Sequence, residues 1–329
     1  MRQEHLRHLA CPECKSNLRI ADIVRGDGER IETGSLQCIR CERRYDIIRH
    51  VPRFVPLENY ASSFGLEWSH HARTQYDSYT GRPISETRFF EETRWPNDLH
   101  GQLLLEVGSG SGRFTEIALK TGAMVISMDY SYAVDANYTS NGDQPNLLIV
   151  QGDLYRMPFH ESYFDKLLCI GVLQHAPDVK GAFMALPAFL KPGGQLTVDV
   201  YRKLTGLKGL LVTRYWVRPL TRRIAPQRLY KWCKRYVTFM YPLAKRIHKI
   251  PFIGKNLNWA LLIGDYMRHD LSEEVLLEWA VLDTFDMLAP TYDQPQTIET
   301  VGAWFEEANL QRPDIHYGYN GIEARGVRP

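Results

Sequence analysis

The chain has 329 residues, 44% hydrophobic and 24% charged, with 40 basic against 38 acidic side chains. This is an ordinary soluble composition with enough apolar mass for one large domain and something smaller beside it. No apolar run approaches the ~18 residues of a membrane helix, and the charged opening "MRQEHLRHLA" lacks a secretory pattern, so the chain is expected to be cytoplasmic.

Residues 1–57 read as a metal-bound ribbon. Four of the six cysteines form two pairs, "CPEC" (Cys11, Cys14) and "CIRC" (Cys38, Cys41). Two such knuckles bring four thiolates to one ion in a closed tetrahedral site, which predicts structural zinc rather than catalytic metal. The alternating stretches "NLRIADIV" and "ERIETGSLQC" between them predict short strands. Residues 58–100 are rich in Tyr, Trp and His without strand alternation, and are expected to form helices and loops.

From Leu103 the chain alternates short apolar runs with helical stretches: "QLLLEV", "RFTEIALKTG", "MVISMDY", "NLLIVQGD", "FDKLLCIGVL", "VKGAFMALPAFLKPGG" and "QLTVDVY". Residues 101–201 are therefore predicted to be an α/β unit, a parallel sheet with helices on both faces. Its ligand belongs at the carboxyl ends of the strands, where strand order reverses. At the first of these ends stands "LLLEVGSGSGRF". Gly108, Gly110 and Gly112 permit a tight turn and close approach of backbone to ligand; a dinucleotide fingerprint would place its third glycine at position 113, where Arg113 stands, so the third glycine here comes one residue early.

A carboxylate marks each of three successive strand ends. Glu106 can face an ammonium group, Asp129 can accept from a ribose diol, and Asp153 can take an adenine amino group. The set suits a ligand with a ribose, an exocyclic amine and a cationic tail, and it disfavours phosphate.

On "LLLEVGSGSGRF", "MDYS", "GDLYRMPFHESYFD" and "LKPGG", the region from about Leu103 to Tyr201 resembles the class I S-adenosylmethionine-dependent methyltransferases, whose sheet is Rossmann-like. The resemblance implies that Glu106, Gly108, Ser109 and Gly110 hold the methionine moiety, Asp129 and Tyr130 the ribose side, Asp153 and Leu154 the adenine, with Gly171 also at the cofactor. "FGLEWSHHARTQYDSYTG" resembles the leader of bacterial members, making Trp68 and Gln75 lid contacts. "RRYDIIRHVPRFV" resembles the end of zinc ribbons related to the activator subunit of tRNA methyltransferases. It departs at His50, where glycine is expected. Residues 269–329 resemble the end of small-molecule methyltransferases, with the helix of "TIETVGAWFEEANL" begun by a Thr/Glu capping box.

Methyl transfer from a sulfonium is an in-line displacement that needs alignment above all, and a hydroxyl acceptor also needs a base. His175, in "GVLQHAPD", is the best-placed base; Asp178, His160, Tyr130 and Tyr292 are weaker alternatives.

Residues 202–268 form an insert of unusual charge. From Arg202 to Gly264 lie 15 of the 40 basic residues and none of the 38 acidic ones, interleaved with aromatic and aliphatic side chains. Amphipathic basic helices broken at prolines are expected there. They could receive an anionic acceptor, with Arg222 and Arg223 binding it, or contact an anionic membrane face. The combined reading is O-methylation of a sugar, a lipid-linked saccharide or a secondary metabolite. The alternatives are a ribosomal or transfer RNA base methyltransferase that clamps RNA with ribbon and insert, and a cofactor-binding adaptor without catalysis.

Overall fold

The structure, a computed structural model, describes residues 1–56, 61–206, 209 and 212–329. The expected boundary between residues 57 and 58, and Leu207, Lys208, Leu210 and Leu211 of the insert, lie outside the described residues.

The ribbon forms β1 (Leu18–Gly26), β2 (Ile31–Cys38), β3 (Arg44–Ile48) and β4 (Val51–Arg53), an antiparallel series. Three helices follow: α1 (Ser62–His70), α2 (Asp77–Thr80) and α3 (Ile84–Thr93). The alternating region then yields β5 (Leu103–Val107), α4 (Arg113–Lys120), β6 (Met124–Asp129), α5 (Val134–Asn141), β7 (Leu147–Gln151), β8 (Phe164–Cys169), α6 (Val179–Ala185) and β9 (Leu190–Val200). The insert carries α7 (Arg214–Thr221), α8 (Pro226–His248) and α9 (Gly254–Ala260). The chain closes with α10 (Glu273–Leu288), α11 (Ile298–Glu307), β10 (Gln311–Tyr317) and β11 (Ile322–Val327).

The eleven strands of the described residues join one sheet in the order β1-β2-β3-β4-β7-β6-β5-β8-β9-β11-β10. Strands β5 to β9 are parallel, and their order reverses between β5 and β8. Such central strands are covered on both faces, which is why β7 is buried at every position. Strand β11 returns antiparallel to β9. The helix α11 is capped by the Thr297 hydroxyl, which accepts from the Thr300 amide. The reciprocal capping-box position is thus Thr300, and Glu299 falls one residue short of it.

The ribbon is a continuation of the sheet. Strand β4 lies parallel to β7, and the Phe54 amide donates to the Gln151 carbonyl at 2.8 Å. Buried Arg53 donates to Gln151 Oε1 at 3.1 Å and to Asp135 at 2.6 Å. Leu36 and Ile47 of the ribbon share one hydrophobic core with Leu148 and Phe159 of the larger sheet. His50 adopts φ +67°, the left-handed region that explains why glycine is expected there. Its ring stacks on Tyr138 with centroids 4.9 Å apart, and Nδ1 lies 3.1 Å from the Ile31 carbonyl.

In the insert, α8 runs through Pro242 instead of breaking there. Pro242 and Thr238 are both exposed, so the carbonyl four residues back that loses its donor can turn to water. The inward positions Leu229, Cys233, Val237, Tyr241 and Ala244 recur at helical spacing and pack towards α10. Among the described residues no helix is long and apolar enough to cross a membrane.

Candidate active site

A cavity of about 400 Å³ opens at the carboxyl ends of the parallel strands, within the roughly 300–1,000 Å³ of ligand sites. Its floor is the turn after β5. Gly108 has φ +79°, and a Cβ there would meet the Val172 side chain at 2.1 Å; Gly110 has φ +56°, and a Cβ would meet Trp68 Nε1 at 2.8 Å. Both positions therefore demand glycine on two counts, conformation and space. Ser109, whose Oγ accepts from Asn137 at 3.3 Å, lies between them on the cavity wall.

The three strand-end carboxylates are placed differently. Asp129 lines the cavity and accepts from the Gly110 amide at 2.8 Å and from the Ser131 amide and hydroxyl at 2.7 Å. Burial raises its pKa in spite of these donors. Glu106 lies one layer behind the lining, where its Oε2 accepts from Thr115 at 2.5 Å and Ser127 at 3.2 Å. Burial pushes its carboxyl up to about 7. It braces the glycine turn and is not on the cavity wall. Asp153 is also off the wall: it caps the short turn Leu154–Arg156 by accepting from the Tyr155 amide at 2.9 Å. Its neighbours Gly152 and Leu154 do line the cavity, as do Tyr130 and Gly171.

The leader covers this floor. Trp68 projects from α1 over Gly110, and Gln75 accepts from Arg113 at 2.8 Å. Arg113 is half-buried over the Phe114 ring and has no carboxylate within ion-pair distance among the described residues; burial, then repulsion by Arg88, lowers its pKa to about 10. Arg88 itself is held by Glu92 at 2.5 Å and Asp199 at 2.8 Å. Asp199 also accepts from the Gly171 amide, which ties the turn after β8 to the same network.

His175 stands at the other end, in the short turn after β8. Its Nδ1 lies 3.0 Å from the Tyr292 carbonyl, and since a carbonyl only accepts, Nδ1 is assigned the proton and Nε2 is left as the base in the neutral ring. Phe64 and Tyr201 pack edge-on against the imidazole at 5.1 and 5.4 Å. Tyr201 donates to Asp286 at 3.2 Å, and Tyr266 donates to Asp283. Glu67 from α1 joins these two aspartates; burial and their charges raise its pKa well above the carboxylate range, and burial pushes Asp283 to about 7. All three carboxylates line the cavity with Trp259 and Trp279.

This end contradicts one expectation. Arg222 and Arg223 are exposed beyond α7 and do not line the cavity, because the face of α7 turned inward presents Arg214 and Arg218. Arg214 reaches the wall, packed on Tyr201 and 3.8 Å from Asp293. Asp178 and His160 are likewise outside; Asp178 caps α6 on the Gly181 amide. Tyr292 contributes its backbone carbonyl, which orients His175. Sequence reasoning missed Glu67, Arg88, Asp283 and Asp286. The i, i+3 spacing of Asp283 and Asp286 was a signal that both share one helix face.

The four ribbon cysteines converge, with sulfurs within 4.8 Å of one another. Cys11 and Cys41 are 3.6 Å apart and Cys14 and Cys38 3.4 Å. A zinc tetrahedron with ~2.3 Å bonds has edges of about 3.8 Å, so the set fits that ion closely. The Arg40 and Cys41 amides donate to Cys38 Sγ at 3.4 Å, as expected of a thiolate knuckle.

Residues 105–198 match the family described as "Methyltransferase domain". The sterol 24-C-methyltransferase of Saccharomyces cerevisiae is 37% identical over 103 residues, 30% of this chain and 27% of that protein. The demethylmenaquinone methyltransferase of Thermobifida fusca is 30% identical over 107 residues, 32% of this chain and 45% of that protein. The chain thus spans less than half the length of these curated relatives. Among solved structures, an S-adenosylmethionine-dependent methyltransferase from Methanosarcina mazei is 14% identical with a TM-score of 0.41, covering 73% of this chain and 96% of that one.

Proposed function

We propose that this chain, whose residues 105–198 are a methyltransferase domain, transfers a methyl group from S-adenosylmethionine to a hydroxyl of a small, largely apolar acceptor. The observation that carries the reading is one cavity with two unlike ends: a bare glycine turn beside Asp129, and His175 with its Nδ1 3.0 Å from the Tyr292 carbonyl. Bound there, the cofactor would supply an electrophilic methyl. Gly108, Ser109 and Gly110 would hold its methionine portion, with Arg113 and Gln75 meeting the carboxylate. Asp129 and Tyr130 would hold the ribose, and Gly152 to Leu154 would flank the adenine. Arg113 fits this role because it is a half-buried cation on the cavity wall with no carboxylate of its own among the described residues.

His175 would take the hydroxyl proton at Nε2 while the Tyr292 carbonyl keeps Nδ1 protonated. Trp68, Phe64 and Trp279 line the cavity and would help exclude water from it. Because Glu67, Asp283 and Asp286 wall this end, the acceptor is uncharged or cationic there, in place of the anionic one expected from the insert. The names of the sterol and menaquinone relatives support an apolar class. We further propose that Cys11, Cys14, Cys38 and Cys41 hold one structural zinc.

The test is transfer of labelled methyl from S-adenosylmethionine into fractionated extract. Label is expected in the lipid or small-molecule pool, and His175→Gln should lower the rate roughly 10²–10⁴-fold with cofactor affinity unchanged. Label confined to RNA would overturn the acceptor class, and an unaffected His175→Gln would overturn the base.

A further inference from the structure

The insert leaves a second feature that the cavity does not use. A helix packed on one side normally turns polar residues to water, yet α8 carries an exposed apolar stripe beside its cationic face. Flanking its inward stripe, between it and the cationic face, the outward positions Trp232, Phe239 and Leu243 are exposed by 46%, 82% and 45%, and Ile250 follows just beyond the helix. Tyr236 fills the gap between Trp232 and Phe239, its ring stacked on Trp232 at 5.2 Å. The spacing of four and seven residues makes this a continuous stripe along α8. Trp216 and Leu220 on α7, and Phe252, Ile253 and Leu257 around the start of α9, add further exposed apolar side chains.

The charges around this stripe are of one sign. Arg228, Lys231, Lys234, Arg235, Arg246 and Lys249 are all exposed or nearly so on α8 and its end, and among the described residues none forms an ion pair. Among the described residues, Lys245 is the one Lys or Arg of this helix that is paired, with Glu273 at 2.6 Å, and His248 Nδ1 at its end lies 2.9 Å from Asp265. No acidic residue occurs between Arg202 and Gly264 to neutralise the rest.

We propose that the outward face of α8 docks the protein on an anionic lipid surface. Aromatic and aliphatic side chains bordered by unpaired Lys and Arg match a helix lying in the headgroup region, where apolar burial and attraction to anionic lipid add. A second copy of the chain would bring the same positive face against itself. Nucleic acid would meet the cations but leave Leu243, Ile250 and Leu257 without a partner, since these side chains neither stack on bases nor bind phosphate. The same insert supplies Leu204, Arg214 and Trp259 to the cavity wall, so docking would hold the cavity next to the lipid.

Flotation of the full chain with vesicles tests this. Binding is expected to phosphatidylcholine vesicles containing phosphatidylglycerol, with weak or no binding to phosphatidylcholine alone. Lys231→Glu with Arg235→Glu should weaken it by about fivefold or more per charge removed. Trp232→Gln with Phe239→Gln should abolish it and leave the thermal melt unchanged, since both side chains point away from the core. Failure to float with anionic vesicles, or flotation that survives the Trp232/Phe239 variant, would overturn the proposal. So would a dimer in size-exclusion chromatography that the variant dissociates, or tighter binding to single-stranded RNA than to vesicles.

Discussion

The indole of Trp68 lies so close over Gly110 that a single added methyl group on the glycine would sit 2.8 Å from Nε1. The helix α1, which follows the ribbon, is thereby held against the turn that ends β5. Gly110→Ala should weaken binding of S-adenosylhomocysteine roughly tenfold or more, because it adds left-handed strain at φ +56° and displaces Trp68. Calorimetric titration measures this, and wild-type affinity in the variant would show that the turn does not hold the cofactor.

Glu106 makes stability depend on pH in a stated direction. Its carboxyl is raised from an ordinary 4.5 to about 7 by burial, with Asp129 adding in the same sense and Thr115 and Ser127 opposing. Between those values the folded chain keeps a proton that the unfolded chain releases, so stability falls as pH rises from about 4.5 to about 7, by up to ~3 kcal/mol. Urea melts of the wild type should show this loss, and Glu106→Gln should flatten it. An equal slope in the variant would assign the effect elsewhere.

His50 carries a strain that glycine would not. Substituting alanine keeps φ +67° while losing the contact with Tyr138 and the Ile31 carbonyl, at a cost of about 2 kcal/mol; glycine loses the same contacts but relieves the strain, leaving a net cost within about 1 kcal/mol. Equal destabilisation by His50→Ala and His50→Gly in urea melts would show that the backbone there is not strained.

One zinc per chain is expected by elemental analysis. Because β4 pairs with β7 and the ribbon shares a core with the larger sheet, chelation should lower the midpoint of a single cooperative melt. Two separated transitions after chelation would mean that the ribbon folds independently, and absence of metal from freshly purified protein would refute the site.

Much of this protein was legible in its residues because the signals are local. A knuckle of two cysteines, a glycine that must take positive φ and an apolar run long enough for one buried strand each make demands on adjacent backbone, so Cys11 to Cys41, Gly108, Gly110 and the parallel strands could be read directly. His50 belongs here too, since the position where glycine was expected did take a left-handed φ.

What tertiary structure alone decided is where distant segments meet. Arg53 and Gln151 are paired across nearly a hundred residues, turning a ribbon into the edge of a sheet. Glu67 meets Asp283 and Asp286 across more than two hundred, and their convergence puts three carboxyl groups on one part of the cavity wall. The basic insert was visible by composition, but which arginine faces the cavity was not: Arg214 does and Arg222 does not. Composition counts charges, whereas the face a helix buries is set by what packs against it, and for α7 and α8 that partner comes from residues beyond the insert.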